Sequence, residues 1–364
     1  MFQGIFVDAI EESKKFAELM STSGRHGLRV KFQQSAGLSK LAKEVLASQP
    51  DFVALDYRLG NNRKSLPYTA TPLAQLLRDT ALKTTHKDFP IILVSQQDDI
   101  KSFFENVTAQ TLFDRCFTKE DLGNGSTHRL QILSLVKGYK QLIKNWHQSE
   151  RWSVLLALTQ QEKLEVAYQA IRTLDNLKAP HQVAQDILRY VIDRRGILLD
   201  TDNVLAELGV LKKGKNVNAV LDILRQEKVV YTGIFSDGWT RWWQHRLEDW
   251  GKELCGDSLG NMTAQQRVSC LNKKLGLKLL PAKSRWQNHS DALLWYVCES
   301  CHQPTEDEFA MIVFEPSPYT FIRQKRICWK CVETGEYKKQ GLEIDDGEEL
   351  FVEKIQNGEI RSDT

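Results

Sequence analysis

Proline is scarce, nine in 364 residues, so few positions force a break in helices or strands. An excess of charge of one sign is also missing. Forty-nine Lys plus Arg stand against 47 Asp plus Glu, a net charge of +2. That balance excludes a globally basic nucleic-acid coat, though not a local basic patch. No apolar run approaches the roughly 18–20 residues that a membrane span needs, so no membrane partner is expected. The opening MFQGIFVDAIEES lacks the basic region, apolar stretch and small-residue cleavage site of a secretory signal, and a cytoplasmic location is expected. Internal repeats and low-complexity segments are absent as well. What remains is 41% hydrophobic and 26% charged, enough to build cores rather than a disordered chain. At about 150 residues per domain, the length suggests two or three.

The first stretch alternates strand-like and helix-like patterns. GIFVDA is followed by EESKKFAELMSTSG, which places Phe16, Leu19 and Met20 on one helical face. LRVKFQQ alternates as a strand does, and GLSKLAKEVLASQ returns to helical spacing through Leu38, Leu41, Val45 and Leu46. DFVALDYRLG, FPIILVSQ and LFDRCFTKEDL are further strand runs, with PLAQLLRDTALK and DDIKSFFENVT reading as helices between them. RLQILSLVKGYKQLIKNW closes the series as an amphipathic helix. Five strand–helix pairs predict an α/β domain over residues 1–147, a flavodoxin-like five-stranded parallel sheet covered by helices. Such a sheet gathers ligands at the carboxyl ends of its strands, where Asp8, Asp56, Ser95 and Lys119 fall.

Residues 148–260 read as mainly helical, an output or linker domain. VLLALTQQEKLEVAYQAIRTL, APHQVAQDILRYVIDRRG, TDNVLAELGV and KNVNAVLDILRQEK are the helices, with Thr201 or Asp202 as an N-cap and Gly196 and Gly209 as stops. VVYTGIF reads as a strand, and two helices, a KKGK turn, a third helix and a strand also fit a winged-helix order. FSDGWTRWWQHRLEDWGKEL reads as a helix with Trp239, Trp243 and Trp250 on one face. Burial of that aromatic face is the leading expectation; a partner-binding or base-stacking surface is the other.

The third segment, 261–364, holds the cysteine pattern. Of seven cysteines, Cys298, Cys301, Cys328 and Cys331 form two Cys-x-x-Cys pairs, whereas Cys116, Cys255 and Cys270 stand singly. Clustering of this kind favours a metal site over a disulfide framework. The pairs flank a predicted hairpin, FAMIVF, a Pro-Ser-Pro turn and YTFIRQKRI, and two knuckles so joined resemble a zinc ribbon. Four thiolates supply the tetrahedral sulfur shell of structural Zn2+, with no position left open for catalysis. Cys255 and Cys270 are expected in the core rather than among the ligands, and His302 on the surface. Arg323, Lys325, Arg326 and Lys330, with Phe321 and Trp329, give the ribbon a basic, aromatic face suited either to phosphates and bases or to plain solvation. The acidic EIDDGEELFVEK beyond it reads as a solvated surface or tail.

In the N-terminal segment, FVDAIEES, VALDYRLG, IILVSQ and RCFTK carry Asp8, Asp56, Ser95 and Lys119 in that order. Taken together these four positions resemble the receiver domain of two-component response regulators, over about residues 3–145. The resemblance implies that Asp56 is the phosphoacceptor. It also implies that Asp8, Asp56 and the main-chain carbonyl of Arg58 hold Mg2+, and that Lys119 and Ser95 contact the phosphoryl oxygens. The match departs in four places. Ala9 follows Asp8 where receivers usually carry a second carboxylate, so that Glu11 or Glu12 would have to reach back. Glu120 follows Lys119 in place of proline, Cys116 replaces an aromatic, and NNRKSLPYTATP is an apparent insertion.

The resulting expectation is a response-regulator-like signalling protein, a phosphoacceptor rather than an enzyme. It would take a phosphoryl group from a partner histidine kinase and relay that state through its C-terminal half to a protein or nucleic acid, with homodimer formation as an accompanying expectation. One alternative is a pseudo-receiver adaptor in a bacterial conflict or phage-defence complex. Another is a DNA-binding transcriptional regulator using residues 200–235 and the ribbon. No nucleophile–base set or phosphate-binding glycine loop follows residue 150 to support an enzymatic output.

Overall fold

A computed structural model describes residues 1–22, 27–59, 68–96, 111–124, 126–286, 294–315 and 319–360. The chain divides into two compact units, Met1–Arg189 with Thr232–Trp239, and Tyr190–Tyr231 with Thr240–Thr364. No helix among the described residues is long and apolar enough to cross a membrane.

The first unit is built on five parallel strands, β1 (Phe2–Asp8), β2 (Leu28–Gln34), β3 (Phe52–Leu55), β4 (Ile91–Ser95) and β5 (Arg115–Thr118), ordered β2-β1-β3-β4-β5. That is the flavodoxin-like order. Residues of β3 and β4 are buried without interruption because a parallel sheet is covered on both faces, which is why FVAL and IILV are apolar runs rather than alternating ones. Edge strand β2 alternates at its start instead. Helices α1 (Lys14–Met20), α2 (Leu38–Ala47) and α3 (Ala70–Lys83) connect strands. Leu41 and Val45 of α2, with Leu73 and Leu77 of α3, pack against Ile5, Val7, Val53, Leu55 and Leu93 on one face. On the other face Phe16 meets Phe6 edge to face at 5.3 Å, while Leu19, predicted to share that helical face, is exposed. Gly4 is required in β1: a Cβ there would lie 2.2 Å from the ring of its sheet neighbour Phe52. The predicted helix DDIKSFFENVT lies outside the described residues, as does the first half of the apparent insertion.

Helices α4 (Lys119–Asn124) and α5 (Ser126–Asn145) follow β5. The single helix predicted through VLLALTQQEKLEVAYQAIRTL is broken into α6 (Arg151–Leu155), α7 (Gln160–Glu165) and α8 (Tyr168–Asp175). Thr159 starts α7 with a full capping box against Glu162, a local alternative that outcompetes continuation. Helix α9 (Pro180–Asp186) has its proline in the first turn.

In the second unit α10 (Thr201–Glu207) is capped by Asp200, ahead of both Thr201 and Asp202, the caps expected, and its side chain accepts from the Asn203 N–H. Gly209 has φ +69°, the left-handed turn for which it was expected. Helix α11 (Val217–Gln226) follows, but VVYTGIF is no strand: Val230 makes one isolated bridge to Trp242, and Lys228 and Phe235 adopt positive φ. The tryptophan segment also departs from expectation. Strand β6 (Leu198–Leu199) pairs antiparallel with β7 (Trp242–Trp243), and helix α12 begins only at Gln244, running to Cys255. Trp239, Trp243 and Trp250 therefore share no helical face, although Trp242 and Trp243 are buried. Helix α13 (Ala264–Leu275) is joined to α12 by a Cys255–Cys270 disulfide; sequence spacing gave no sign of that pairing.

The cysteine-rich region contains β8 (Tyr296–Val297), β9 (Pro304–Thr305), β10 (Ala310–Ile312) and β11 (Arg326–Cys328), paired antiparallel β8–β9 and β10–β11. Helix α14 (Trp329–Glu333) follows β11, and the acidic segment read as a solvated surface or tail is largely exposed and runs into helix α15 (Glu349–Gln356), with Ile355 buried in this core. The chain is thus a mixed α/β protein with an N-terminal parallel sheet, helices in its middle and a cysteine-rich end.

Candidate functional site

Two constellations emerge from this fold. The first sits at the carboxyl rim of the parallel sheet. Asp8 ends β1, Asp56 follows β3, Ser95 ends β4, and Lys119 follows β5. Because the strands run the same way, residues at their ends arrive at one rim whatever their sequence separation. Lys119 Nζ lies 2.9 Å from Asp8 Oδ2 and 2.9 Å from Asp56 Oδ1. Ser95 Oγ is 3.4 Å from Asp56 Oδ1, and the Arg58 N–H donates to Asp56 Oδ2 at 3.0 Å. All four expected side chains are together.

Asp8 is 1% and Asp56 7% exposed. Burial pushes the Asp56 carboxyl above its ordinary 3.8; the hydrogen bond from Lys119 opposes that rise, and the neighbouring Asp8 adds to it. For Lys119, burial opposes the charge, but hydrogen bonds to Asp56 and Asp8 outweigh it and hold the ammonium above its ordinary value. One ammonium thus serves two carboxylates. Two carboxylates sharing one ammonium offer the hard oxygen donors that a divalent cation takes. Ala9 is buried, whereas Glu11 and Glu12, in a short 3-10 turn, are exposed. Neither provides a second carboxylate beside Asp8 through any hydrogen bond or ion pair seen among the described residues. Cys116 in β5 is partly buried, and burial pushes its thiol up to about 12, which disfavours the thiolate form.

The second constellation is the cysteine quartet. Cys298 follows β8, Cys301 lies in the turn before β9, Cys328 ends β11, and Cys331 is in the first turn of α14. The second pair is therefore a strand-to-helix step. Its four Sγ atoms lie within 4.8 Å of one another. Cys298–Cys331 and Cys301–Cys328 are both 3.8 Å apart, close to the edge of a tetrahedron with metal–sulfur legs of about 2.3 Å. The Cys328 N–H points to Cys298 Sγ at 3.2 Å and Arg285 Nη1 to Cys331 Sγ at 3.4 Å, donors that steady thiolates in a metal site. Around it pack Trp286, Met311, Ile327 and Val332. The quartet fits a metal ion such as zinc. His302 is exposed and stands outside it.

The basic face expected on the ribbon is largely neutralised. Arg323 reaches Glu207 (3.4 Å), Lys325 reaches Glu315 (3.6 Å), Arg326 reaches Asp307 (2.7 Å) and Lys330 reaches Glu333 (2.5 Å). Trp329 is held edge to face by Trp286 and Phe309 at 5.5 and 5.2 Å, in a packed cluster rather than a stacking platform. Comparison of the chain with protein-family models and with curated proteins finds no match.

Proposed function

We propose that the N-terminal unit is a receiver-like phosphoacceptor in a signalling protein, with Asp56 as the accepting carboxylate. The observation that carries this reading is the single Lys119 ammonium 2.9 Å from both Asp8 and Asp56 at the sheet's carboxyl rim. An ionised Asp56 oxygen attacks the phosphorus of a partner kinase's phosphohistidine. The P–O bond forms as the P–N bond breaks, and the bonding pair returns to the imidazole nitrogen. Lys119 then exchanges a carboxylate contact for a phosphoryl oxygen as a point charge, and the Ser95 hydroxyl donates to another. Mg2+ held by Asp8, Asp56 and the Arg58 carbonyl would neutralise charge on the transferring oxygens. The acquired charge of roughly −1.5 to −2 is what the rest of the chain, with its zinc-binding cysteine quartet, would read and pass to a partner protein or nucleic acid.

A second reading, a pseudo-receiver used for docking in a multiprotein complex, is favoured by buried Ala9 at the position of the second carboxylate. Beryllofluoride with magnesium separates the two. The phosphoacceptor reading predicts a raised melting midpoint and altered amide exchange at the sheet's carboxyl rim, both lost in Asp56→Ala. An unchanged wild-type protein would favour the docking module.

A further inference from the structure

The second unit contains a polar cavity of about 140 Å³ formed by the Arg194–Arg195 loop, the start of α10, β8 and the segment Arg323–Arg326. Two of its lining arginines, Arg195 and Arg323, pair with one buried carboxylate, Glu207, whose main-chain carbonyl is held by Arg267. Arg195 Nη2 donates to Glu207 Oε1 at 2.8 Å, Arg323 Nη1 to the same oxygen at 3.4 Å, and Arg267 Nη1 to the Glu207 carbonyl at 2.5 Å. Two guanidinium groups therefore share one carboxylate oxygen, while Arg267 is held by a main-chain carbonyl.

Arg195 is the notable member. Its side chain is only 9% exposed, it lines the cavity, and its Nε and Nη1 meet no hydrogen-bond acceptor among the described residues. Its guanidinium lies over the Tyr296 ring at 4.4 Å, and Arg326 approaches the same ring at 5.5 Å, so an aromatic wall holds the fork in place. Buried N–H groups of a cation without acceptors are costly, and a planar guanidinium is shaped for two oxygens of one oxyanion. The lining also carries the carboxylates of Asp193, Asp200, Asp202 and Glu299. Asp200 already accepts from Asn203, and Asp202 pairs with Lys212 at 2.6 Å. Carboxylates in the lining suit the hydroxyl or amino donors of a ligand rather than a second anion. At 140 Å³ the space is below the roughly 300 Å³ of sites for drug-sized molecules, which suits a small anion or one end of a larger molecule.

We propose that this cavity binds a phosphate group, with Arg195 and Arg323 as its guanidinium clamp. The site is independent of the sheet-rim pocket. Its occupant is either free inorganic phosphate or the terminal phosphate of a nucleic-acid strand, and calorimetric titration of the full chain distinguishes the two. Inorganic phosphate and a matched pair of short oligonucleotides, one 5′-phosphorylated and one with a 5′-hydroxyl, are the probes. Saturable binding of inorganic phosphate as tight as that of the phosphorylated strand assigns the free anion; binding of the phosphorylated strand tighter than both inorganic phosphate and its hydroxyl counterpart assigns the strand end. In either case Arg195→Lys, which keeps a charge beside Glu207 but removes the fork, weakens binding about ten- to hundredfold. Arg323→Gln, at a more exposed position, weakens it as well and carries the test if the first variant fails to fold. Asp56→Ala leaves it unchanged. The proposal is overturned if neither phosphate probe binds saturably, if the two oligonucleotides bind alike while inorganic phosphate does not bind, or if folded Arg195→Lys and Arg323→Gln proteins both bind as the wild type does.

Discussion

At the scale of single residues, Asp56 carries an electrostatic conflict. It is buried beside a second carboxylate, and burial, only partly offset by Lys119, raises its pKa above 3.8. A carboxyl raised in the fold favours folding while protonated. That contribution is complete below the unfolded value and is lost as pH rises through the folded one. Ionised Asp56 therefore costs stability at neutral pH, where a nucleophilic carboxylate is needed. Asp56→Asn should raise the urea midpoint at neutral pH, with the gain shrinking as the pH falls toward 3.8; a lower midpoint at neutral pH would show that the Lys119 pairing outweighs the burial. The sequence marked Asp8, Asp56, Ser95 and Lys119 because each ends or follows an apolar strand run. It did not reveal that one ammonium bridges both carboxylates, since distances across a sheet are set by strand order and not by spacing.

Among elements, the opposite end of the sheet is tied by a buried network that hydrophobic periodicity does not register. Arg78 of α3 donates through Nη1 to Asp88 (3.1 Å) and through Nη2 to Asp114 (2.8 Å). Asp114 also accepts from Tyr139 of α5 at 2.6 Å, and Asp88 from the His181 N–H of α9 at 2.7 Å. One arginine thus links the starts of β4 and β5 to three helices. Removing it leaves two buried carboxylates without their cation, so Arg78→Met should cost about 3–5 kcal/mol in chemical denaturation; a loss below about 1 kcal/mol would mean that water replaces the guanidinium. The cysteine quartet holds elements of two residues or little more, too short to persist alone. Chelation, or Cys298→Ser, should strip one equivalent of metal and loosen β8–β11, seen as faster amide exchange there, while β1–β5 stay protected. Retained protection in β8–β11 would mean that side-chain packing alone supports the region. This quartet was legible because the Cys-x-x-Cys spacing encodes the chemistry directly, whereas the Cys255–Cys270 link was not, since two lone cysteines 15 residues apart carry no geometric signal.

For the molecule as a whole, the sheet was readable because its buried strands are uninterrupted apolar runs and the helices between them have clear amphipathic spacing. Reading failed where local propensity and tertiary context disagree. VVYTGIF looks like a strand, yet the chain passes from one compact unit to the other between Tyr231 and Thr232, and residues in a crossing of that kind follow the units they serve rather than a ladder. The tryptophan segment failed similarly: Trp242 and Trp243 are drawn into pairing with β6, which delays the helix to Gln244. The signalling account joins these parts through one chemical event, the gain of a phosphoryl group on Asp56. Its most direct test is the intact mass of the full chain after incubation with acetyl phosphate and magnesium. The account predicts an added mass of one phosphoryl group that is absent from Asp56→Ala; no gain in the wild type, or an equal gain in both proteins, would contradict it.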